Sequence, residues 1–96
     1  MSDVDDYQME PNKRRTNWED HGVTLEAAER TFDDPLALDF EDRRFLYNED
    51  RRCIIGMVDG RLLHVTYTDI DDETRHIISA RGAEPHERRR YHQEPR

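Results

Sequence analysis

The stretch RRCIIGMVDGRLLHVTYTD, residues 51–69, decides the fold because two apolar runs flank the dipeptide Asp59–Gly60. Asp-Gly between such runs is a strong sequence signal for a β-hairpin with a two-residue turn. A further run, TRHIISAR at residues 74–81, follows an acidic turn and predicts the next strand. Residues 36–40, LALDF, predict a short strand before the hairpin. The centre of the chain is therefore predicted to be an antiparallel sheet of three or four strands.

Two helices are predicted before this sheet. Pro11 suits the first turn of a helix over residues 11–21, and Gly22 supplies its C-terminal stop. Thr24 is a good N-cap for a second helix over residues 25–32, with apolar residues on one side. Neither helix has enough apolar surface to be stable alone, so both are expected to pack on the sheet.

The chain ends in a third predicted helix, residues 85–93, which begins at a proline and has an acidic first turn. The order of elements predicts an α+β fold with two N-terminal helices, a three- to four-stranded antiparallel sheet and a C-terminal helix, the helices lying on one sheet face. Residues 1–6 are expected to be a disordered acidic N-terminus, residues 7–91 one domain and residues 92–96 a frayed C-terminus.

Charge is unevenly placed along the 96 residues. The formal net charge is −8, and residues 1–50 carry fifteen acidic against six basic residues. Residues 51–96 carry eight acidic against nine basic residues. Because the overall field repels nucleic acid, any RNA contact must come from a local basic cluster.

Several function classes lack their sequence signals. Cys53 is the only cysteine, so no disulfide framework or cysteine metal site is predicted, and there is no phosphate-binding glycine loop or nucleophile elbow. No apolar run approaches the ~18 residues of a membrane span, and the acidic N-terminus does not resemble a signal peptide. We therefore expect a cytoplasmic protein with no membrane contact, no cofactor and no metal, since no ligand spacing joins the histidines, which are His21, His64, His76, His86 and His92.

Alternation along the strand at residues 74–81 predicts which side chains share a face. Arg75, Ile77, Ser79 and Arg81 have one parity, which predicts an arginine at each end of a single strand face. On the preceding strand, the same rule puts His64 on the more polar side.

Several separated segments together resemble a known family. They are KRRTNWEDHGVTLEAAERTFDDPLAL, EDRRCIIG, RLLHVTYT and IISARGAEPHERRRY, in that order. Over residues 7–91 the chain resembles the BrnT toxins of bacterial and archaeal type II toxin–antitoxin systems. The resemblance implies a RelE-like fold and a ribonuclease that acts on RNA and blocks translation. It also implies a BrnA-like ribbon-helix-helix antitoxin as partner, with operator DNA contacted only indirectly through that antitoxin.

The resemblance can be carried over residue by residue. The matching positions are Lys13, Asn17, His21, Gly22, Phe32, Asp34, Pro35, Glu49 or Asp50 with Arg51, Gly56, Arg75, Ser79, Ala80, Arg81, Glu87 and Tyr91. The chain departs from the family pattern at Met9, Asp20 and Gly82, and each departure removes an aromatic ring or a basic residue. These departures bear on RNA affinity more than on the fold.

Cleavage of RNA by its own 2′-hydroxyl requires a phosphate clamp, a base and an acid. Arg75 and Arg81 are the first candidates for the clamp and Arg51 the next, because guanidinium groups bind phosphate oxygens in pairs. Glu49 is the candidate base, if burial raises its pKa. The candidates for the acid or for RNA binding are His64, His21, Lys13 and Tyr91.

Structural roles remain open for the same residues. Arg81 is also placed to pair with Glu84 and Glu87 and anchor the last helix, and residues 88–90 are also a solvated helix face. His21 is also a helix C-capping residue. A different class of function stays open too, a catalytically weak module that binds the antitoxin and modulates operon repression.

Overall fold

The structure, a computed structural model, describes residues 4–43 and 50–95. It contains five strands, three α-helices and one 3₁₀ turn. In chain order these are β1 (Asp6–Gln8), α1 (Pro11–His21), α2 (Leu25–Arg30), the 3₁₀ turn (Thr31–Asp33), β2 (Leu38–Glu41), β3 (Arg52–Val58), β4 (Arg61–Asp69), β5 (Thr74–Gly82) and α3 (Pro85–Gln93). Strand β1 thus begins at the last residue of the segment expected to be disordered, and α3 includes two residues of the segment expected to be frayed.

The α+β class is confirmed, but the sheet differs from the prediction. It has five strands in the order β1-β5-β4-β3-β2, with β1 parallel to β5 and the other pairs antiparallel. The prediction of three or four antiparallel strands is wrong because it omits β1. Three residues are too few to show an alternating pattern, so only pairing with β5 reveals β1 as a strand.

The hairpin between β3 and β4 forms as predicted. Asp59 has φ 50° and Gly60 has φ 82°, the left-handed conformations that a type I′ turn requires at both central positions. The turn makes β3 and β4 neighbours, and because β5 pairs with the other edge of β4, β4 is the central strand.

The two N-terminal helices begin where their caps predict. Helix α1 starts at Pro11 and stops before Gly22, whose φ of 64° is left-handed. The Thr24 hydroxyl accepts a hydrogen bond of 3.0 Å from the Ala27 backbone N–H at the start of α2. Helix α2 ends at Arg30, two residues earlier than predicted, because the chain tightens into the 3₁₀ turn.

A β-bulge separates the two halves of β5. Thr66 pairs with Ser79, whereas the next residue, Tyr67, pairs with Ile77, so one extra residue of β5 lies between them. An extra residue reverses the alternation of side chains beyond it. The prediction that Arg75 and Arg81 share one face is therefore wrong, and they lie on opposite faces of the sheet.

The helices cover both sheet faces, not one as predicted. On one face, which we call the α1/α2 face, residues of α2 and the segments around it pack on the inner side chains Val65, Tyr67, Ile77 and Ala80. On the other, the α3 face, Tyr91 packs with Ile55, Leu62 and Ala83. The two arginines of β5 are thus divided between two chemical environments.

Helix α3 is fastened to the body of the domain at both ends. The Tyr91 hydroxyl donates a hydrogen bond of 2.6 Å to Asp34 Oδ2, which also accepts one of 2.8 Å from the Met57 backbone N–H. At the other end, Glu87 accepts a hydrogen bond from Arg81, near the end of β5. These contacts fix the position of α3 over the sheet.

Candidate functional site

A pocket of about 450 Å³ opens between α3 and the sheet. Strands β2, β3 and β4 contribute Phe40, Ile55 and His64, and α3 contributes Glu87 and Arg90. Arg81, from the end of β5, is also part of the wall. The lining contains further charged or basic side chains, which are Glu41, Asp42, Glu84, Arg43 and His86. We call this the α3 pocket. It has an apolar floor with charged groups of both signs around it.

Arg81, Glu87 and His64 form one cluster in the α3 pocket. Arg81 Nη1 donates to Glu87 Oε1 at 2.7 Å and Nη2 donates to Oε2 at 3.0 Å, so the pair is bidentate. His64 Nε2 lies 3.4 Å from the same Oε2. The side chains of His64 and Glu87 are only 5% and 11% exposed, whereas that of Arg81 is 25% exposed. The carboxylate therefore holds a guanidinium that reaches solvent and an imidazole that is buried.

The charge state of Glu87 is fixed by its surroundings. Burial by itself raises the pKa of this carboxyl, but hydrogen bonds from Arg81 and from the Glu84 backbone N–H, together with the nearby His64 side chain, outweigh it and lower the pKa to about 2. Glu87 is therefore ionised at neutral pH. A carboxylate of this kind orients its partners and is a poor general base.

The lowered pKa predicts an acid-dependent loss of stability. A carboxyl whose pKa is lower in the folded protein stabilises it above the unfolded value of 4.5, and that contribution is lost as pH falls toward about 2. We expect the difference in unfolding free energy between the parent and Glu87→Gln to shrink by about 1–2 kcal/mol between pH 6 and pH 3, after allowing for solvent screening. Urea unfolding at the two pH values measures this difference. Equal differences at both values would contradict the assignment.

Arg75 lies in a separate cluster on the α1/α2 face. Its guanidinium carbon is 4.3 Å and 4.5 Å from the ring centroids of Phe32 and Tyr67, and its Nε donates to Asp69 Oδ1 at 2.6 Å. The cavity beside it is also lined by acidic side chains, which are Asp34, Asp39, Asp71 and Asp72. These carboxylates repel phosphate. The structure thus brings Arg75 together with carboxylates and aromatic rings, and not with Arg81.

The other predicted residues are dispersed. Lys13 and His21 are exposed on α1, and the His21 backbone carbonyl accepts a hydrogen bond from Arg61. Arg51 precedes β3, and its carbonyl accepts a hydrogen bond from the Asp42 N–H. The Tyr91 hydroxyl is bonded to Asp34. Glu49, the predicted base, lies outside the described residues.

Phe40 and Arg90, which contact each other in the α3 pocket, were not among the predicted site residues. The Arg90 guanidinium carbon lies 4.3 Å from the centroid of the Phe40 ring, and the His64 ring lies 6.4 Å from the same ring, edge-on. Arg90 follows Glu87 by three residues, which puts both side chains on one face of α3. The three-residue spacing of Glu87 and Arg90 could have indicated that the two side chains lie at one site. No sequence feature indicates Phe40, because it lies fifty residues before Arg90.

The described residues contain neither a candidate metal site nor a candidate membrane-spanning helix. Within residues 4–43 and 50–95, no group of three or more histidine, cysteine, aspartate or glutamate side chains is placed to hold a metal ion. No helix in the same part of the chain is long and apolar enough to cross a membrane.

These features define a class of protein, a small α+β domain with a pocket that offers arginine and histidine side chains beside a fixed carboxylate. The family model described as "Ribonuclease toxin, BrnT, of type II toxin-antitoxin system" matches residues 10–87. The chain therefore belongs to the BrnT family of ribonuclease toxins, and the resemblance noted in its sequence is confirmed.

A solved structure supports the fold. The crystal structure of the Brucella abortus ribonuclease toxin, BrnT, superposes with a TM-score of 0.63 and is 24% identical in sequence. The match covers 84% of this chain and 99% of the Brucella chain. No curated protein sequence matches the chain significantly.

Proposed function

We propose that this chain is a metal-independent endoribonuclease that inhibits translation, with the α3 pocket as its active site. Membership of a ribonuclease toxin family supports the activity. The observation that carries the choice of site is the cluster of Arg81, Glu87 and His64, because it joins a positive charge and a proton-transfer group around one fixed carboxylate.

The reaction needs no covalent enzyme intermediate. The 2′-hydroxyl oxygen of the RNA attacks the adjacent phosphorus, and the bond from phosphorus to the 5′-oxygen breaks. A base takes the proton of the 2′-hydroxyl, and an acid delivers a proton to the leaving 5′-oxygen. The products are a 2′,3′-cyclic phosphate and a 5′-hydroxyl, so atoms and charges balance without an added cofactor.

The residues of the α3 pocket supply these roles in our proposal. His64 serves as the base and then as the acid: its imidazole takes the proton of the 2′-hydroxyl and gives a proton to the leaving 5′-oxygen. Glu87 sets the orientation of the ring, which general acid–base catalysis requires. Arg81 is held in position by Glu87 before substrate binds, so its charge stabilises the phosphorane without reorganisation. Arg90, exposed beside the cluster, adds positive charge at the mouth of the pocket.

We further propose that the partner is a BrnA-like ribbon-helix-helix antitoxin, which neutralises the toxin and alone contacts the operator DNA. Membership of a type II toxin–antitoxin family implies an antitoxin. The negative charge of the chain is complementary to a basic DNA-binding protein. This proposal concerns the partner and is independent of which pocket cleaves RNA.

Expression of the chain in a bacterium tests the proposed function. We expect growth arrest with a fall in amino-acid incorporation, because cleaved messages cannot be translated, and relief of both when a neighbouring ribbon-helix-helix protein is expressed with it. The matched control is His64→Gln, produced at the same level and folded. Equal arrest by the parent and this variant would contradict the assignment of His64, and normal growth with the parent would contradict the toxin proposal.

A second candidate function has a specific observation in its favour. Both terminal nitrogens of Arg81 are already bonded to Glu87, as in a purely structural tie between strand and helix. In that case the chain is a module that binds the antitoxin and modulates operon repression. Antitoxin binding with no RNA cleavage at any salt concentration would favour this candidate.

A further inference from the structure

The side chains of Phe40 and Arg90 make an ordered stack at the wall of the α3 pocket. Phe40 is half-buried on β2 and is fixed from below by the His64 ring, which meets it edge-on at an interplanar angle of 66°. The Arg90 guanidinium lies over the Phe40 ring at 4.3 Å, on the side exposed to solvent. The Phe40 ring therefore holds the guanidinium of an exposed side chain in place.

A guanidinium held in this way has a second planar face. Guanidinium planes stack on nucleobases much as aromatic rings do, and a preorganised plane loses less conformational entropy on binding. The α3 pocket, at about 450 Å³, falls within the size range of small-molecule binding sites. The spacing of Glu87 and Arg90 puts a base on this plane next to the catalytic cluster.

We infer that the Phe40–Arg90 stack is a binding site for one unpaired nucleobase of the RNA. This inference rests on the proposed function and deepens it, since it names single-stranded RNA as the substrate class. A base inside a duplex has both faces covered by its neighbours and cannot stack on a side chain without leaving the helix. The stack thus selects an unstacked nucleotide and places its sugar and phosphate near Arg81 and His64.

A simpler role for the contact predicts different behaviour. If Arg90 only covers the Phe40 ring with its methylene groups, a lysine covers the ring almost as well. If Arg90 only attracts phosphate, a lysine keeps the positive charge. Only a stacking role depends on the planar guanidinium, so Arg90→Lys separates stacking from the two simpler roles.

The test is an NMR titration of the full chain with adenosine 5′-monophosphate and, separately, with ribose 5-phosphate. We expect the nucleotide to bind at least about 10-fold more tightly than the sugar phosphate, which lacks the base. In Arg90→Lys this advantage should fall to less than about 2-fold, with the affinity for ribose 5-phosphate unchanged. Arg30→Lys, an exposed arginine paired with Asp59 on the far hairpin, is the matched control and should retain the advantage.

Three outcomes overturn the inference. These are equal binding of the two ligands or none by the parent, a base advantage that survives in Arg90→Lys, and an equal loss of both ligands in that variant, which would mean that Arg90 does not act on the base. Phe40→Leu, which keeps an apolar side chain, should also reduce the advantage. No RNA is cleaved in this titration, so the two proposals can fail separately. Tighter binding of the nucleotide than of the sugar phosphate, without nuclease activity, would contradict only the proposed function. Nuclease activity without tighter binding of the nucleotide would contradict only this inference.

Discussion

Replacing Arg81 by lysine is expected to slow RNA cleavage by roughly 10²–10³-fold, the cost of removing one preorganised donor to a developing negative charge. Lysine retains an ion pair with Glu87 but loses the bidentate geometry that fixes the charge in place. The stability of the domain should change by no more than about 1 kcal/mol, because Glu87 is not left unpaired in a buried site. Single-turnover cleavage of a labelled RNA measures the effect.

The matched control is Arg75→Lys. Arg75 lies on the same strand, is also an arginine bonded to a carboxylate and is similarly shielded, but it faces α1 and α2. We expect its cleavage rate to stay within about threefold of the parent. A loss equal to that of Arg81→Lys would instead mean that both faces of the sheet contribute to cleavage.

Replacing Gly56 by alanine is expected to destabilise the fold by about 2–3 kcal/mol, the upper part of the range for overpacked sites. A Cβ at this position would lie 2.7 Å from the Thr31 carbonyl oxygen and 3.2 Å from its Cα. Both are backbone atoms of the 3₁₀ turn, and Thr31 is fully buried, so the clash cannot be relieved by rotating a side chain. Urea denaturation measures the change in free energy of unfolding.

Gly82→Ala is the control for this prediction. Its added Cβ would meet the Arg61 guanidinium at 3.1 Å, the far end of a flexible side chain that can move away. We expect a change below about 1 kcal/mol. If Gly56→Ala unfolds at the same urea concentration as Gly82→Ala, the close approach of the 3₁₀ turn to β3 is not a requirement of the fold.

Local signals in the sequence predicted the parts of the fold that local interactions determine. The turn at Asp59 and Gly60 needs two left-handed residues, and few other dipeptides supply them. Pro11 and Gly22 mark the ends of α1 for equally local reasons, a missing N–H and a left-handed φ. The bounds of α3, residues 85–93, were also correct, and Pro85 marks its start for the same reason as Pro11.

Features that depend on pairing between distant strands were not predictable in this way. A period of two assumes that every residue of β5 has a partner, and the bulge opposite Thr66 and Tyr67 breaks that assumption. One extra residue was enough to separate Arg75 from Arg81 and to divide one expected site into two. Helix α3 lies on the opposite face of the sheet from the other two helices. The sequence did not indicate this either, because no local pattern shows which face of the sheet is uncovered where β5 ends.

The candidate site was partly predictable. Pairing of Arg81 with Glu84 and Glu87 was left open as an alternative to a role in binding phosphate, and the structure contains the bidentate contact with Glu87. The place of His64 on the polar side of β4 was also correct, because no bulge intervenes between β3 and β4. The contact of Phe40 with Arg90 joins β2 to α3, and no sequence spacing indicates it. The catalytic roles of all these residues stay predictions.

The most direct test of the proposed nuclease activity is cleavage of a labelled single-stranded RNA by the purified chain in the presence of a chelator. A salt series belongs in the design, because an acidic chain binds RNA through few contacts that salt weakens. We expect cleavage without added metal, products that end in 2′,3′-cyclic phosphate, and a strong loss of rate in Arg81→Lys but not in Arg75→Lys. No cleavage at any salt concentration by folded protein, or equal rates in the parent and Arg81→Lys, would contradict the proposed function.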